Sequence, residues 1–154
     1  MVPAGRIVQI WIKPAHGAAM EPRRCATLVA GIGLEGNADR GGRRQVTVLD
    51  LGRWNEATAE LGRRLDPSLR RANLLLEGID LADSTGRVLR LGECLLVVRG
   101  ESRPCSRMDE AWPGLRAVLA RSWRGGVYGE VLRGGTIRPG DVAAWEPAGA
   151  DVQR

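Results

Sequence analysis

The stretch GESRPCSRMDE, Gly100–Glu110, holds the residues whose types and spacing most invite chemistry. Cys105 follows a proline and lies between Arg103 and Arg107, with Asp109 and Glu110 close behind. Flanking guanidinium groups favour the thiolate, the form of cysteine that attacks electrophiles and binds metals. Pro104 fixes the local backbone and withholds an N–H. The opposite reading is that Arg107 and Asp109 pair on the surface while the thiol packs inward as a small apolar filler. Local sequence leaves the two readings balanced. Asp109 and Glu110 themselves are accounted for by surface pairing with the neighbouring arginines. Cys25 and Cys94 stand among small apolar residues and leucines, and both read as core fillers.

Other chemistries find less support. The single histidine, His16, lies in the Pro/Gly-bounded run KPAHGAAM with no local nucleophile, so it reads as a surface loop residue rather than the base of a triad. No C-x-x-C or H-x-x-x-H pair offers zinc its four ligands at short spacing. There is no Walker loop, and GIGLEG (Gly31–Gly36) lacks the glycine spacing of a dinucleotide fingerprint. Two segments could grip an anion. ADRGGRRQV brings Asp39, Arg40, Arg43, Arg44 and Gln45 around a Gly-Gly turn, and LRRANLL brings Arg70, Arg71 and Asn73 before an apolar run. Glycine allows close backbone approach, and arginine presents a planar fork to phosphate or carboxylate. Either loop alone reads as a solvated charged loop. Two such loops and a charged cysteine loop, all at strand entrances or exits, raise the odds of one shared site.

The elements that must position these residues are short. Arg6–Lys13 alternates as a strand, with Val8, Ile10 and Ile12 on one face, and Cys25–Gly31 and Arg44–Asp50 are further strands. A helix follows Asp50, which can cap it, with Leu51, Trp54, Ala57, Thr58 and Leu61 as its stripe. ANLLLEGIDL is a strand running into a turn. Gly86–Gly100 is a hairpin bending at Leu91-Gly92-Glu93, and a second helix spans Gly114–Ser122. Three strands close the chain, separated by turns at Gly134-Gly135 and Pro139-Gly140-Asp141. The expected fold is mainly β, a barrel-like single domain of about seven or eight short strands with two flanking helices. The domain is expected over residues 1–146, with a loose tail at 147–154.

A chain of 154 residues can bury roughly 68–70% of its unfolded surface without a disulfide staple. No apolar run has the length of a membrane span and the N-terminal residues lack the order of a secretory leader, so no membrane partner is expected. Three widely spaced cysteines argue for a reducing, cytoplasmic setting. The net charge is +5 and Lys13 is the only lysine. Nucleic acid is one anion for such a chain, but there is no Phe, a single Tyr128 and five scattered Trp, so no stacking platform is evident. A small phosphorylated ligand suits the charge better.

With these segments in order, the sequence resembles the MOSC domain, the module named for the C-terminal part of molybdenum-cofactor sulfurase, in its small stand-alone bacterial form. The resemblance lies in KPAHGAAM, GIGLEGNADRGGRRQVTVLD, RRANLLLEGIDL, SRPCSRMDE and GGVYGEVLRGGTIRPGDVA. One departure is Asn37 after Gly36, where the family carries Asp. The resemblance implies a β-rich barrel and a molybdenum-pterin cofactor, molybdopterin. It implies Cys105 as the metal ligand or sulfur carrier, and Arg40, Arg43, Arg44, Arg70, Arg71, Asn73, Arg103 and Arg107 as the residues around the cofactor. It implies reduction of N-hydroxylated small molecules with electrons from a partner, since the chain has no haem or iron–sulfur motif. The alternatives are a persulfide-carrying module served by a sulfur donor protein, and, least favoured, a basic barrel that binds nucleic acid. Pyridoxal phosphate is not expected on this chain, because in the family it belongs to a separate aminotransferase-like domain.

Overall fold

The alternating run near the N-terminus forms β1 (Gly5–Ile12), but the alternation that sets Val8 on one face with Ile10 and Ile12 is broken. In the computed structural model, which describes residues 4–147, Ile7 joins Ile10 and Ile12 in the core while Val8 packs with an outer cluster. The register against the neighbouring strand shifts between Ile7 and Gln9. An extra residue in a strand turns the side chains on one side of it to the opposite face.

The remaining strands are β2 (Glu21–Arg23), β3 (Ala26–Val29), β4 (Gly33–Leu34), β5 (Val46–Asp50), β6 (Leu74–Glu77), β7 (Val88–Leu91), β8 (Cys94–Glu101), β9 (Val127–Arg133), β10 (Gly135–Ile137) and β11 (Val142–Trp145). Seven of them close a barrel in the order β11-β7-β8-β9-β5-β6-β1, sealed by Gly5 opposite Ala143 and Arg6 opposite Val142. β2 extends β1 outside the ring, and β10, β3 and β4 form a small second sheet. The chain leaves the barrel for that sheet at Gly134, where a Cβ would collide with the Leu28 carbonyl oxygen. The expected turn at Gly134-Gly135 is therefore a crossing between sheets, and Gly135 already belongs to β10. The barrel interior is aliphatic, led by Leu28, Leu34, Leu74, Leu89 and Leu96, all essentially inaccessible.

β5 and β6 pair in parallel, which requires a crossover. The crossover contains α1 (Leu51–Glu60) and a 3-10 turn at Pro67–Arg70. Asp50 caps α1 as expected, accepting from the Arg53 N–H at 3.1 Å. With α2 (Ser106–Ala111) and α3 (Leu115–Leu119), the crossover forms a layer outside β5 and β6. Trp54, Leu49, Leu75, Met108, Leu115 and Leu119 fill the space between layer and barrel. No described helix is long and apolar enough to cross a membrane.

Cys94 lies in the core, where burial raises its thiol pKa. Cys25 corrects the expectation of a core filler: it is exposed in the link between β2 and β3, one residue before the strand begins. Of the tail expected at 147–154, all but Pro147 lies outside the described residues.

Candidate functional site

β8 delivers the cysteine loop to the outer wall of the barrel, beside the helical layer. The Ser102 N–H donates to the Gly126 carbonyl at 2.8 Å, which ties the start of the loop to the turn before β9. Ser102 and Pro104 are buried, and Cys105 emerges exposed. Cys105 occupies the N-cap position of α2 in extended conformation, with no side-chain cap bond. Asp109 accepts from the Arg116 backbone N–H at 3.1 Å, so it braces α3 instead of pairing with a flanking arginine. Arg103 turns back toward Glu101, 3.6 Å away.

Arg70 forms the centre of the constellation. It is 9% exposed and reaches across the outer face of β5. Its Nε donates to the Gly125 carbonyl at 3.0 Å, and its Nη2 donates to the Ser102 carbonyl at 2.8 Å and to the Ser102 hydroxyl at 3.1 Å. Arg44 donates to the same hydroxyl at 3.2 Å while its guanidinium stacks 5.1 Å from the centre of the Tyr128 ring. Every oxygen receiving these two cations is neutral. Burial first, and then the like charge of Arg44, lower the pKa of Arg70 to about 10, whereas a thiolate at Cys105 acts in the opposite direction. Among the described residues the arginines in ion pairs are Arg6, Arg23, Arg53, Arg90, Arg99, Arg103, Arg121 and Arg124. Arg44, Arg70, Arg71 and Arg107 are not among them.

Adjacent arginines diverge because of the backbone. Arg71 closes the 3-10 turn in the left-handed region, φ 63°. Its guanidinium therefore leaves the direction of Arg70 and donates to the Ala18 carbonyl at 2.7 Å, at the rim. Burial and the charge of Arg107 lower its pKa. Arg43 is exposed and donates to the Arg99 carbonyl at 3.4 Å. Arg40 is exposed on the preceding loop and makes no side-chain hydrogen bond to the cluster.

Asn73 is buried and wholly engaged. Its carbonyl oxygen accepts from the Thr47 N–H and hydroxyl at 3.0 and 3.2 Å, and its amide donates to the Trp11 carbonyl and to Asn37, each at 3.2 Å. Asn37 in turn accepts from the Lys13 N–H at 2.8 Å. This chain of amides fixes the entrance to β6, and hence the residues just before it, relative to β1 and β5. Gln45 does the same for Arg44, donating to Gly42 and accepting from Val131. His16 stands exposed, 3.6 Å from Asp39, which also binds Lys13 at 2.7 Å.

Ser102, Gly125 and Tyr128 escaped the sequence reading. The first lies inside the cysteine stretch, but nothing in sequence says that two distant arginines share its hydroxyl.

A closed seven-stranded barrel with an exposed cysteine beside one buried arginine, Arg70, that has no carboxylate partner defines the class. The chain belongs to the MOSC domain family, whose sequence model matches residues 20–144. No curated protein matches it by sequence. In fold it is similar to the YuaD protein from Bacillus subtilis, with 20% identity over 94% of this chain and 98% of that one, TM-score 0.76. It is also similar to YiiM from Geobacillus stearothermophilus, with 19% identity over 96% and 78% of the two chains, TM-score 0.71. For YiiM from Escherichia coli the figures are 17% identity, 95% and 72%, and TM-score 0.69.

Proposed function

We propose that this MOSC protein binds a molybdenum-pterin cofactor, with Cys105 as the thiolate ligand of the metal, and reduces N-hydroxylated compounds. The observation that carries the reading is the pair Arg44 and Arg70: two cations sharing one hydroxyl beside an exposed cysteine, with no carboxylate in contact. A buried guanidinium with only neutral acceptors is unfavourable by itself. An anionic cofactor supplies the missing countercharge.

The residues fit such a group. A thiolate is a soft ligand suited to molybdenum held by pterin sulfurs. Arginine forks take phosphate at two points. Gly125 lets its turn pack closely against the cysteine loop and Arg70, since a Cβ there would stand 2.7 Å from the Ser102 carbonyl oxygen, 3.3 Å from Arg70 Nη2 and 3.4 Å from Pro104. In this reading Arg44 and Arg70 bind the anionic part of the cofactor, and Arg40, Arg43 and Arg71 surround it. Arg103 and Arg107 contribute positive charge near the thiolate, and Asn73 acts as a positioning residue. When bound, the molybdenum centre supplies the electron pair that cleaves the N–O bond: R–NH–OH takes two electrons and two protons and gives R–NH2 and water. A partner protein donates the electrons, in the cytoplasm, where the three cysteines stay reduced.

The test is to purify the protein from a host that makes the cofactor. Molybdenum and the fluorescent oxidised pterin are then measured, with Cys105→Ser alongside, and turnover of an arylhydroxylamine is followed with a chemical reductant. Metal and pterin in the wild type, with metal and turnover lost in Cys105→Ser, support the reading. A preparation holding neither metal nor pterin overturns it, and a persulfide on Cys105 without turnover replaces it with the sulfur-carrier function.

A further inference from the structure

Arg71 borders two cavities. On its inner side is the small pocket it shares with Arg44, Arg70 and Ser102. On its outer side is an open groove of about 270 Å3, lined by Ser68, Leu69, Arg71, Arg107, Glu110 and Ala111. Arg107 lies two residues beyond Cys105, in the first turn of the helix that Cys105 precedes.

The groove carries an unbalanced charge. Arg71 and Arg107 face it together, while Glu110 is its single carboxylate and lies within ion-pair distance of neither. Arg71 is not free to swing away into solvent. Its backbone is held in the left-handed region, which costs a non-glycine residue free energy, and its guanidinium is tied to the Ala18 carbonyl at 2.7 Å. Leu69 and Ala111 supply apolar wall between the charges. Two guanidinium groups lining one partly apolar groove match an organic anion: an oxyanion for the arginines, a ring or chain for Leu69 and Ala111.

We infer that this groove selects the substrate, and that the N-hydroxylated compound reduced at Cys105 carries a carboxylate or phosphate-type group bound between Arg71 and Arg107. The inference rests on the reductase reading for its reaction and extends it to the substrate class.

The first arm needs no turnover. Benzoate and phenylphosphonate are titrated into the protein while the arginine Nε–H resonances are followed by NMR. Saturable shifts of two arginine signals, with affinity about tenfold weaker in Arg107→Met, are expected. No saturable shift, or equal affinity in wild type and variant, overturns the inference. The second arm compares N-phenylhydroxylamine with its 4-carboxy and 4-phosphono analogues on cofactor-loaded protein. At least one anionic analogue is expected to exceed the neutral compound about tenfold in kcat/KM, with that ratio falling toward unity in Arg107→Met, inverting in Arg107→Glu and partly restored in Arg107→Lys. Whichever anion is preferred names the group, and an absence of preference for both overturns the inference. Molybdenum and pterin are assayed in the same samples. Loaded protein that ignores both anions refutes the groove alone. Protein without cofactor refutes the reductase reading, and the benzoate titration still decides the groove.

Discussion

Arg70 is a cation solvated by the fold's own carbonyl and hydroxyl oxygens in place of water or a carboxylate. Arg70→Met removes an unfavourable buried charge but leaves the Gly125 and Ser102 oxygens without their donor, so it is expected to cost about 1–3 kcal/mol in urea unfolding of the cofactor-free protein and to abolish cofactor retention. The pH dependence has a definite sign. The pKa of Arg70 is lowered to about 10 in the folded state, so its unfavourable charge is fully present below that pH. Above it the folded protein releases the proton before the unfolded chain does, and the cost is relieved. Measured at pH values just below and just above about 10, the stability of the wild type relative to Arg70→Met should rise. Ser102→Ala removes the acceptor shared by both guanidinium groups. It is expected to cost only about 1 kcal/mol, because Arg70 Nη2 keeps the Ser102 carbonyl and Arg44 is exposed to water.

Among the elements, the turn between α3 and β9 matters most to the site, because it presents Gly125. Two consecutive non-glycine residues, Ser122 and Trp123, have positive φ there. The turn is held from α1, where the Glu60 carboxylate binds Arg124 at 2.7 Å and also binds Arg121. The bond from Arg124, and then the charges of both arginines, lower the pKa of Glu60. The stabilisation is thus present above the ordinary carboxylate range and is lost as pH falls through the lowered value. Thermal unfolding from neutral to acid pH should show a larger loss of Tm in the wild type than in Glu60→Gln, the variant starting lower at neutral pH. Gly125→Ala would push a methyl group against the Ser102 carbonyl and Arg70. About 1–3 kcal/mol of destabilisation is expected, together with loss of cofactor.

Legibility in the sequence divides at this same scale. β1, β5, the β7–β8 hairpin and α1 with its Asp50 cap are readable because each carries a full period or an explicit cap. α2 and the 3-10 turn are not, since six and four residues hold too little of a helical repeat to reveal a stripe. The site follows the same division. Cys105 and the arginine loops stand out by residue type, but which of Arg70 and Arg71 enters the wall depends on one left-handed residue in a turn invisible to pattern. The bulge in β1 and the exposure of Cys25 escape for a related reason, because each depends on a shift of one residue.

For the molecule as a whole, a net charge of +5 understates the local imbalance. The ion pairs neutralise arginines elsewhere, and Arg103 beside Cys105, but leave Arg44, Arg70, Arg71 and Arg107 without carboxylate partners. The cofactor-free protein should accordingly be stabilised by oxyanions specifically. Sulfate or phosphate at ten times its dissociation constant should add about 1.4 kcal/mol, a Tm rise of a few degrees over chloride at equal ionic strength. Arg70→Met should abolish most of that difference.

The ring closes between β1, the first of its strands, and β11, the last. During synthesis the Gly5–Arg6 end of the opening strand must wait for its β11 partner until nearly the whole barrel has emerged from the ribosome. Such long-range pairing is slow because a long loop must close before any contact rewards it. Nascent chains stalled before Val142 should remain sensitive to protease at the Gly5–Arg6 end of β1, and release of β11 should be the step that locks the barrel.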